Sequence, residues 1–214
     1  MVIRLSESLG LTLRERNSML LSAGYAPVYA ESPAGSAAIG PAVEALRSIL
    51  TGHLPYPAAV AGPRGELVLA NAAFGVLTEG AAARLLAPPV NVLRLALHPE
   101  GMAPRVANLA AWGRHVTESL RARATAHPDP QLDGLIAELT GYLPAAGPPA
   151  PDHLGFAVPL RLRTDEGQLR LLTTLTSFAT AVDVTLAELH LEAFLPADAA
   201  TADLLRRRAA ATPA

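Results

Sequence analysis

The apolar residues of this chain change period once, and that change limits the folds open to it. Up to about residue 143 most recur every three or four positions, whereas beyond the proline-rich stretch Pro144–Pro151, which reads as a loop, they alternate. Val158, Leu160 and Leu162 oppose Pro159, Arg161 and Arg163. Thr164-Asp165-Glu166-Gly167 makes a turn into a second run, Gln168–Phe178. Leu189, Leu191, Ala193 and Leu195 then point one way and Glu188, His190 and Glu192 the other, the pattern of a half-buried antiparallel strand. Near the other end, Tyr56–Ala61 and Leu67–Ala70 flank Gly62-Pro63-Arg64-Gly65, which predicts a hairpin. The sequence therefore predicts an α+β fold: a five-stranded antiparallel sheet with helices inserted between strands two and three, the order of a PAS-like fold.

Helix signals fill the remainder. Thr12 and Glu15 have capping-box spacing, Leu13, Met19, Leu20 and Leu21 give an apolar face, and Gly24 suits a left-handed cap, so a helix is predicted there. A Ser/Pro/Gly/Ala-rich segment follows, and Val43, Leu46, Ile49 and Leu50 form the stripe of the next helix. Asn71 is placed to cap a short helix through Leu77, and Asn91 one that holds Arg94 and Leu97 before Pro99. Val106, Leu109, Ala110, Gly113, Val116 and Leu120 predict a long helix from about Pro104 to Ala126, its other face carrying arginine. Asp129-Pro130 starts another with Leu132, Leu135, Ile136 and Leu139 inward, and a last helix from Asp198 carries Leu204 and Leu205 and ends in Arg206, Arg207 and Arg208. The expected organisation is an N-terminal helical remnant (1–27), a linker (28–41), one domain (42–208) and a disordered tail (209–214).

Composition narrows the function classes. With 214 residues, half of them hydrophobic and only 4% aromatic, the chain can bury a sizeable aliphatic core. Its 17 cations, all arginine, nearly balance 19 acids, so no basic face calls for nucleic acid. Lack of cysteine removes disulfide and thiolate chemistry and fits a reducing compartment. No apolar run is long enough to span a bilayer, and a cytoplasmic protein without a membrane role is expected. The six histidines are scattered; the one local metal candidate, Glu188, His190 and Glu192, reads as the solvated side of a sheet. Phosphate-loop, dinucleotide and nucleophile-elbow motifs are missing, so neither metal nor cofactor is expected.

What remains is Pro88–Trp112, which sets Asn91, Arg94, His98, Arg105, Asn108 and Trp112 into a strongly apolar stretch. Arg94 and His98 lie four apart on one helix, Arg105 and Asn108 three apart on the next, and a turn between them would gather all four around one anion, naturally a carboxylate. The structural alternative makes Asn91 a cap, pairs the arginines with Glu100, Glu118 or helix-end carbonyls, and uses Trp112 as a core anchor rather than a stacking platform.

These segments also resemble a known family. LTLRERNSMLLSAGYAP (Leu11–Pro27), PYPAAV, ANAAF, PPVNVLRLALHPEGMAPRVANLAAW, VPLRLRT and TAVDVTLAELHLEAFLPADAAT (Thr180–Thr201) are similar to the MmyB-like transcription regulators. The resemblance implies a helix-turn-helix of the xenobiotic-response-element type followed by a PAS-like domain whose hollow holds a fatty acid or similar apolar acid and which reports occupancy to the DNA-binding part. Arg94, His98, Arg105 or Asn108 would then meet the head group. DNA would be contacted only through the helix-turn-helix, which should precede the LRERN helix and is expected to be absent or truncated here, and a homodimer is expected. The rival readings are a structural dimerisation module without ligand and a small-molecule enzyme using His98 as acid or base.

Overall fold

The computed structural model describes residues 1–33, 36–145, 157–178 and 181–211. The expectations for His153, most of the Pro144–Pro151 loop, Thr180 and the end of the tail lie outside the described residues.

Among the described residues the helices are α1 (Val2–Ser8), α2 (Leu13–Ser22), α3 (Gly40–Gly52), α4 (Gly75–Thr78), α5 (Ala83–Leu86), α6 (Val92–Leu97), α7 (Leu109–Ala126), α8 (Pro130–Gly141), α9 (Val184–Ala187) and α10 (Ala199–Ala211). The strands are β1 (Ala58–Ala61), β2 (Leu67–Ala70), β3 (Leu160–Thr164), β4 (Gly167–Ser177) and β5 (His190–Pro196). They form one five-stranded sheet in the order β2-β1-β5-β4-β3, antiparallel throughout, and the chain leaves the sheet between β2 and β3 to make the helices. This is the α+β, PAS-like arrangement read from the sequence.

Local chemistry explains most boundaries. Thr12 and Glu15 make both halves of the capping box, and Gly24 beyond the helix has φ +80°. Asn91 accepts from the backbone N–H groups of Leu93 and Arg94, and Asp129 from that of Gln131. Asn71 behaves differently from expectation. Its amide makes no helix cap; it accepts from Ala58 N and donates to Leu50 O and Tyr56 O, tying α3 to the first hairpin. The long helix also starts later than its stripe suggests. Ala103–Arg105 forms a separate 3-10 turn, Val106 bridges to Leu162, and α7 begins only at Leu109, so Arg105 and Asn108 do not share a helix. At the C-terminus α10 runs through Ala211, three residues into the expected tail.

Both faces of the sheet carry a packed layer, although Thr173–Ser177 of β4 stay exposed. One packs Ala58, Val60, Leu189, Leu191 and Ala193 against Leu46 and Leu50 of α3. The other packs Ala59, Ala61, Leu160, Leu162, Leu169, Leu171 and Phe194 under α6, α7 and α8, with Trp112, Leu120, Leu135, Ile136 and Leu139 opposite. Side-by-side segments close the sheet edges, Val90–Val92 along β2 and Val106–Ala107 along β3. The expectation of a half-buried β5 with a solvated polar face is therefore corrected. Alternation fixes which side chains share a face, but what covers that face is a tertiary matter.

The N-terminal segment is docked on this body. Ala30 bridges to Asp183, whose carboxylate accepts from Ser32 N and from Leu186 N at the start of α9.

Candidate functional site

A hollow of about 170 Å³ lies between α7 and the sheet. Trp112, Val116, Leu120, Val92, Leu95, Met102, Phe74, Leu77, Leu172, Leu175 and Phe194 give it mainly apolar walls. Seen along α7, Trp112, His115, Val116, Ser119, Leu120 and Arg123 follow each other at helical spacing, so one stripe of that helix faces the hollow. His115 and Ser119 are exposed and mark its mouth.

Arg123 and Glu192 both face this apolar space. Arg123 donates from Nη2 to Pro63 O at 2.7 Å, and among the described residues no carboxylate stands within ion-pair distance of it. Glu192 lies on β5 with Leu175 and Ala59 as its cross-strand neighbours, and among the described residues its carboxyl makes neither hydrogen bond nor ion pair. Burial pushes the Glu192 carboxyl up from its ordinary value, against a weaker downward pull from the Arg123 charge. Glu192 is half-buried, and its neighbour Leu175 on β4 is exposed. His190, two residues earlier on the same face, is pushed down by burial first and by Arg123 second. A second hollow, of about 140 Å³ under α3, is lined by Leu46, Ile49, Val60, Phe178, Leu189 and Leu191, with His53 as its one titratable side chain among the described residues. The first hollow, with an uncompensated guanidinium and an uncompensated carboxyl, is the one equipped to recognise a polar end.

The residues singled out in the sequence are spread over several tasks. Trp112, 6% exposed, lines the hollow and anchors the core at once. Asn91 caps α6 and donates to Arg64 O. Arg94 points outward and makes a two-bond pair with Glu138 at 2.7 and 2.8 Å, which holds that carboxyl down at about 2. His98 accepts from Glu100 N and meets the Tyr142 ring edge-on at 4.8 Å. Arg105 donates to Val76 O and Leu77 O, the carbonyl end of α4, and reaches Glu79 at 3.4 Å. Asn108 is buried and bridges to β3, giving its N–H to Pro159 O and accepting from Arg161 N. The structure thus does not gather Arg94, His98, Arg105 and Asn108 around one point, and Glu100 is taken by Arg84.

Arg123, Glu192, His115 and Ser119 were missed. A signal for Arg123 was present: it falls three after Leu120, seven after Val116 and eleven after Trp112, on the inward stripe rather than the arginine-bearing outer face. Nothing comparable marks Glu192, because a polar residue in register on a strand looks the same whether water or a cavity faces it.

Helix α2 contacts the ends of two segments that lead into the walls, His127 at the C-cap of α7 and Glu188 between α9 and β5, neither of which lines the hollow itself. On α7, His127 lies one turn beyond Arg123 and contacts the Glu15 carboxylate at 3.1 Å. On the other side, Glu188 lies four residues before Glu192 and receives two hydrogen bonds from Arg14 at 2.6 and 2.9 Å. Adjacent residues of one helix therefore clasp the α7 and β5 sides together.

Among the described residues no group of three or more His, Asp or Glu side chains is placed to hold a metal ion, and no helix is long and apolar enough to cross a membrane. Comparison with curated proteins gives no match. A family model does match, over residues 42–207, which spans α3 to α10 and encloses both walls of the hollow. With the PAS-like order of its strands and that match over most of its length, the chain belongs to the MmyB-like transcription regulator ligand binding domain family.

Proposed function

We propose that the hollow between α7 and the sheet is the effector site, and that its effector is an apolar carboxylic acid whose head group meets Arg123. The observation that carries this reading is the guanidinium itself: it faces an apolar cavity without a carboxylate partner among the described residues. The volume, about 170 Å³, is comparable to an engineered apolar cavity of roughly 150 Å³ that takes up benzene. A medium-chain acid with its tail reaching toward the open side suits it better than a wholly enclosed long chain. Each methylene buried adds up to about 0.8 kcal/mol, about fourfold in affinity, until the walls are filled.

The effect on transcription follows from α2 in this reading. A ligand that spreads α7 from β5 is felt at Glu15–His127 and Arg14–Glu188, and only an effector with different affinities for the clasped and released arrangements shifts the balance. A tenfold preference corresponds to about 1.4 kcal/mol.

The test is native mass spectrometry and calorimetry of the purified chain with octanoate. One octanoate per chain is expected, weakened about 10- to 150-fold in Arg123→Met, the range for losing a hydrogen bond to a charged group. Val116→Trp, which fills the cavity from the middle of α7, should abolish binding while the far-UV circular dichroism is preserved. Octanoate that fails to bind, or binds equally well to Val116→Trp, overturns the reading. The same spectra count the copies per particle and so test the expected homodimer.

A further inference from the structure

We propose that Glu192 is the second half of the head-group site and binds the effector carboxylate as a neutral carboxyl, so that an apolar acid is taken up together with a proton. This rests on the reading that the hollow takes an apolar acid.

The argument is one of charge in a confined space. Arg123 and Glu192 both line the hollow, one from α7 and one from β5, and each feels the other's charge without a direct hydrogen bond between them. A carboxylate bound between them is drawn to Arg123 and brought against Glu192. Two carboxylates in contact cannot both stay ionised in a poorly solvated site, so one proton is shared between them. The neighbours of Glu192 supply little other compensation. Its cross-strand partners are Leu175 and Ala59, and α7 adds, besides Arg123, only the exposed His115 and Ser119 at the mouth. On its own strand, His190 is held toward its neutral form by burial and by Arg123. Burial likewise raises the Glu192 carboxyl before any ligand arrives. In the complex the site then holds one guanidinium cation, one carboxylate and one neutral carboxyl, with the O–H of the carboxyl donating to a carboxylate oxygen. The proton comes from solvent, and no bond other than this O–H is made or broken.

The consequence is selectivity. An ionised Glu192 would reject carboxylates and favour a head group that offers a donor, such as a primary amide. A neutral Glu192 gives its O–H to a carboxylate, and with the Arg123 cation opposite the ionised acid is then favoured over the uncharged amide.

The experiment is calorimetric titration of octanoate and of octanamide into the wild-type chain and Glu192→Gln between pH 6 and 8.5, in two buffers of different ionisation enthalpy. Wild type should take up a proton with octanoate, and its affinity should fall by up to about tenfold per pH unit once free Glu192 is ionised. Glutamine donates the same hydrogen bond without titrating, so the variant should keep octanoate binding and lose most of the pH dependence. Octanamide should bind wild type more weakly than octanoate at pH 6. The proposal is overturned if wild type binds octanoate without proton uptake, if Glu192→Gln keeps the full pH slope, which would put the proton on the ligand, or if octanamide is preferred. Failure of octanoate and octanamide alike to bind at any pH would instead overturn the cavity reading itself, and this proposal with it.

Discussion

Asn108→Ala separates a structural role from a ligand role with a magnitude that can be worked out. The amide is 8% exposed and joins the start of α7 to β3, donating to Pro159 O at 2.8 Å and accepting from Arg161 N at 3.1 Å. Alanine replaces neither contact, and each orphaned partner costs about 1–3 kcal/mol according to how far water reaches it. Two such groups span about 2–6 kcal/mol, and because Arg161 is only half-buried the sum falls in the lower half, about 3 kcal/mol for the pair. In a domain of this size about 1 kcal/mol moves the melting temperature by roughly 2–4 °C, so a drop of about 6–12 °C is expected. Thermal and urea unfolding followed by circular dichroism measure it. Asn108→Asp sharpens the test, because it keeps the acceptor for Arg161 N but turns an oxygen toward Pro159 O. It should be destabilised at neutral pH and partly recover on acidification, as the carboxyl gains a proton to donate. Asn108 is not a wall of the hollow, so folded Asn108→Ala should bind octanoate within about twofold of wild type. A melting shift under about 2 °C, or lost octanoate binding at unchanged stability, would refute this reasoning and return Asn108 to the ligand.

Two further outcomes test the packing and the electrostatics. Gly101 is buried, and a Cβ there would run into the Leu95 carbonyl oxygen and lie 3.3 Å from His98 O, both backbone atoms that cannot swing aside. Gly101→Ala should therefore cost about 3 kcal/mol or more in urea unfolding, and an undiminished unfolding midpoint would show the turn to be more compliant than its geometry. Arg94 holds Glu138 at about 2 against an ordinary 4.5. A carboxyl depressed in the folded state stabilises it above the unfolded value and ceases to do so as pH falls through the folded one. The loss on acidification from about 4.5 to about 2 should thus shrink in Glu138→Gln, whereas an identical acid limb in both proteins would show that the pair contributes nothing.

Most of the architecture was legible because it rests on local rules. The capping box at Thr12, the caps at Asn91 and Asp129, and the three alternating runs after residue 157 each depend on residues a few positions apart. The site was legible only in part. The sequence posed the right question, where an arginine in apolar surroundings finds its partner, but placed it on Arg94 and Arg105. Arg94 reaches Glu138, 44 residues away, and the two Nη groups of Arg105 reach the end of α4, while its Nε is buried without a partner among the described residues, so distant segments decide what each cation finds.

Taken alone, the sequence determined the strand count, the point at which helices interrupt the sheet, and the inward stripe of α7. Backbone hydrogen bonding and side-chain period are set within a turn or a strand. Tertiary structure alone decided that Glu192 on the polar side of β5 looks into a cavity, that Arg123 and Glu192 face it from α7 and from the sheet, and that α2 ties the end of α7 to the segment before β5 through Glu15 and Arg14. Each of these depends on which elements the closed fold brings together, and the electrostatic cost of a charge is set by that surrounding rather than by its place in the chain.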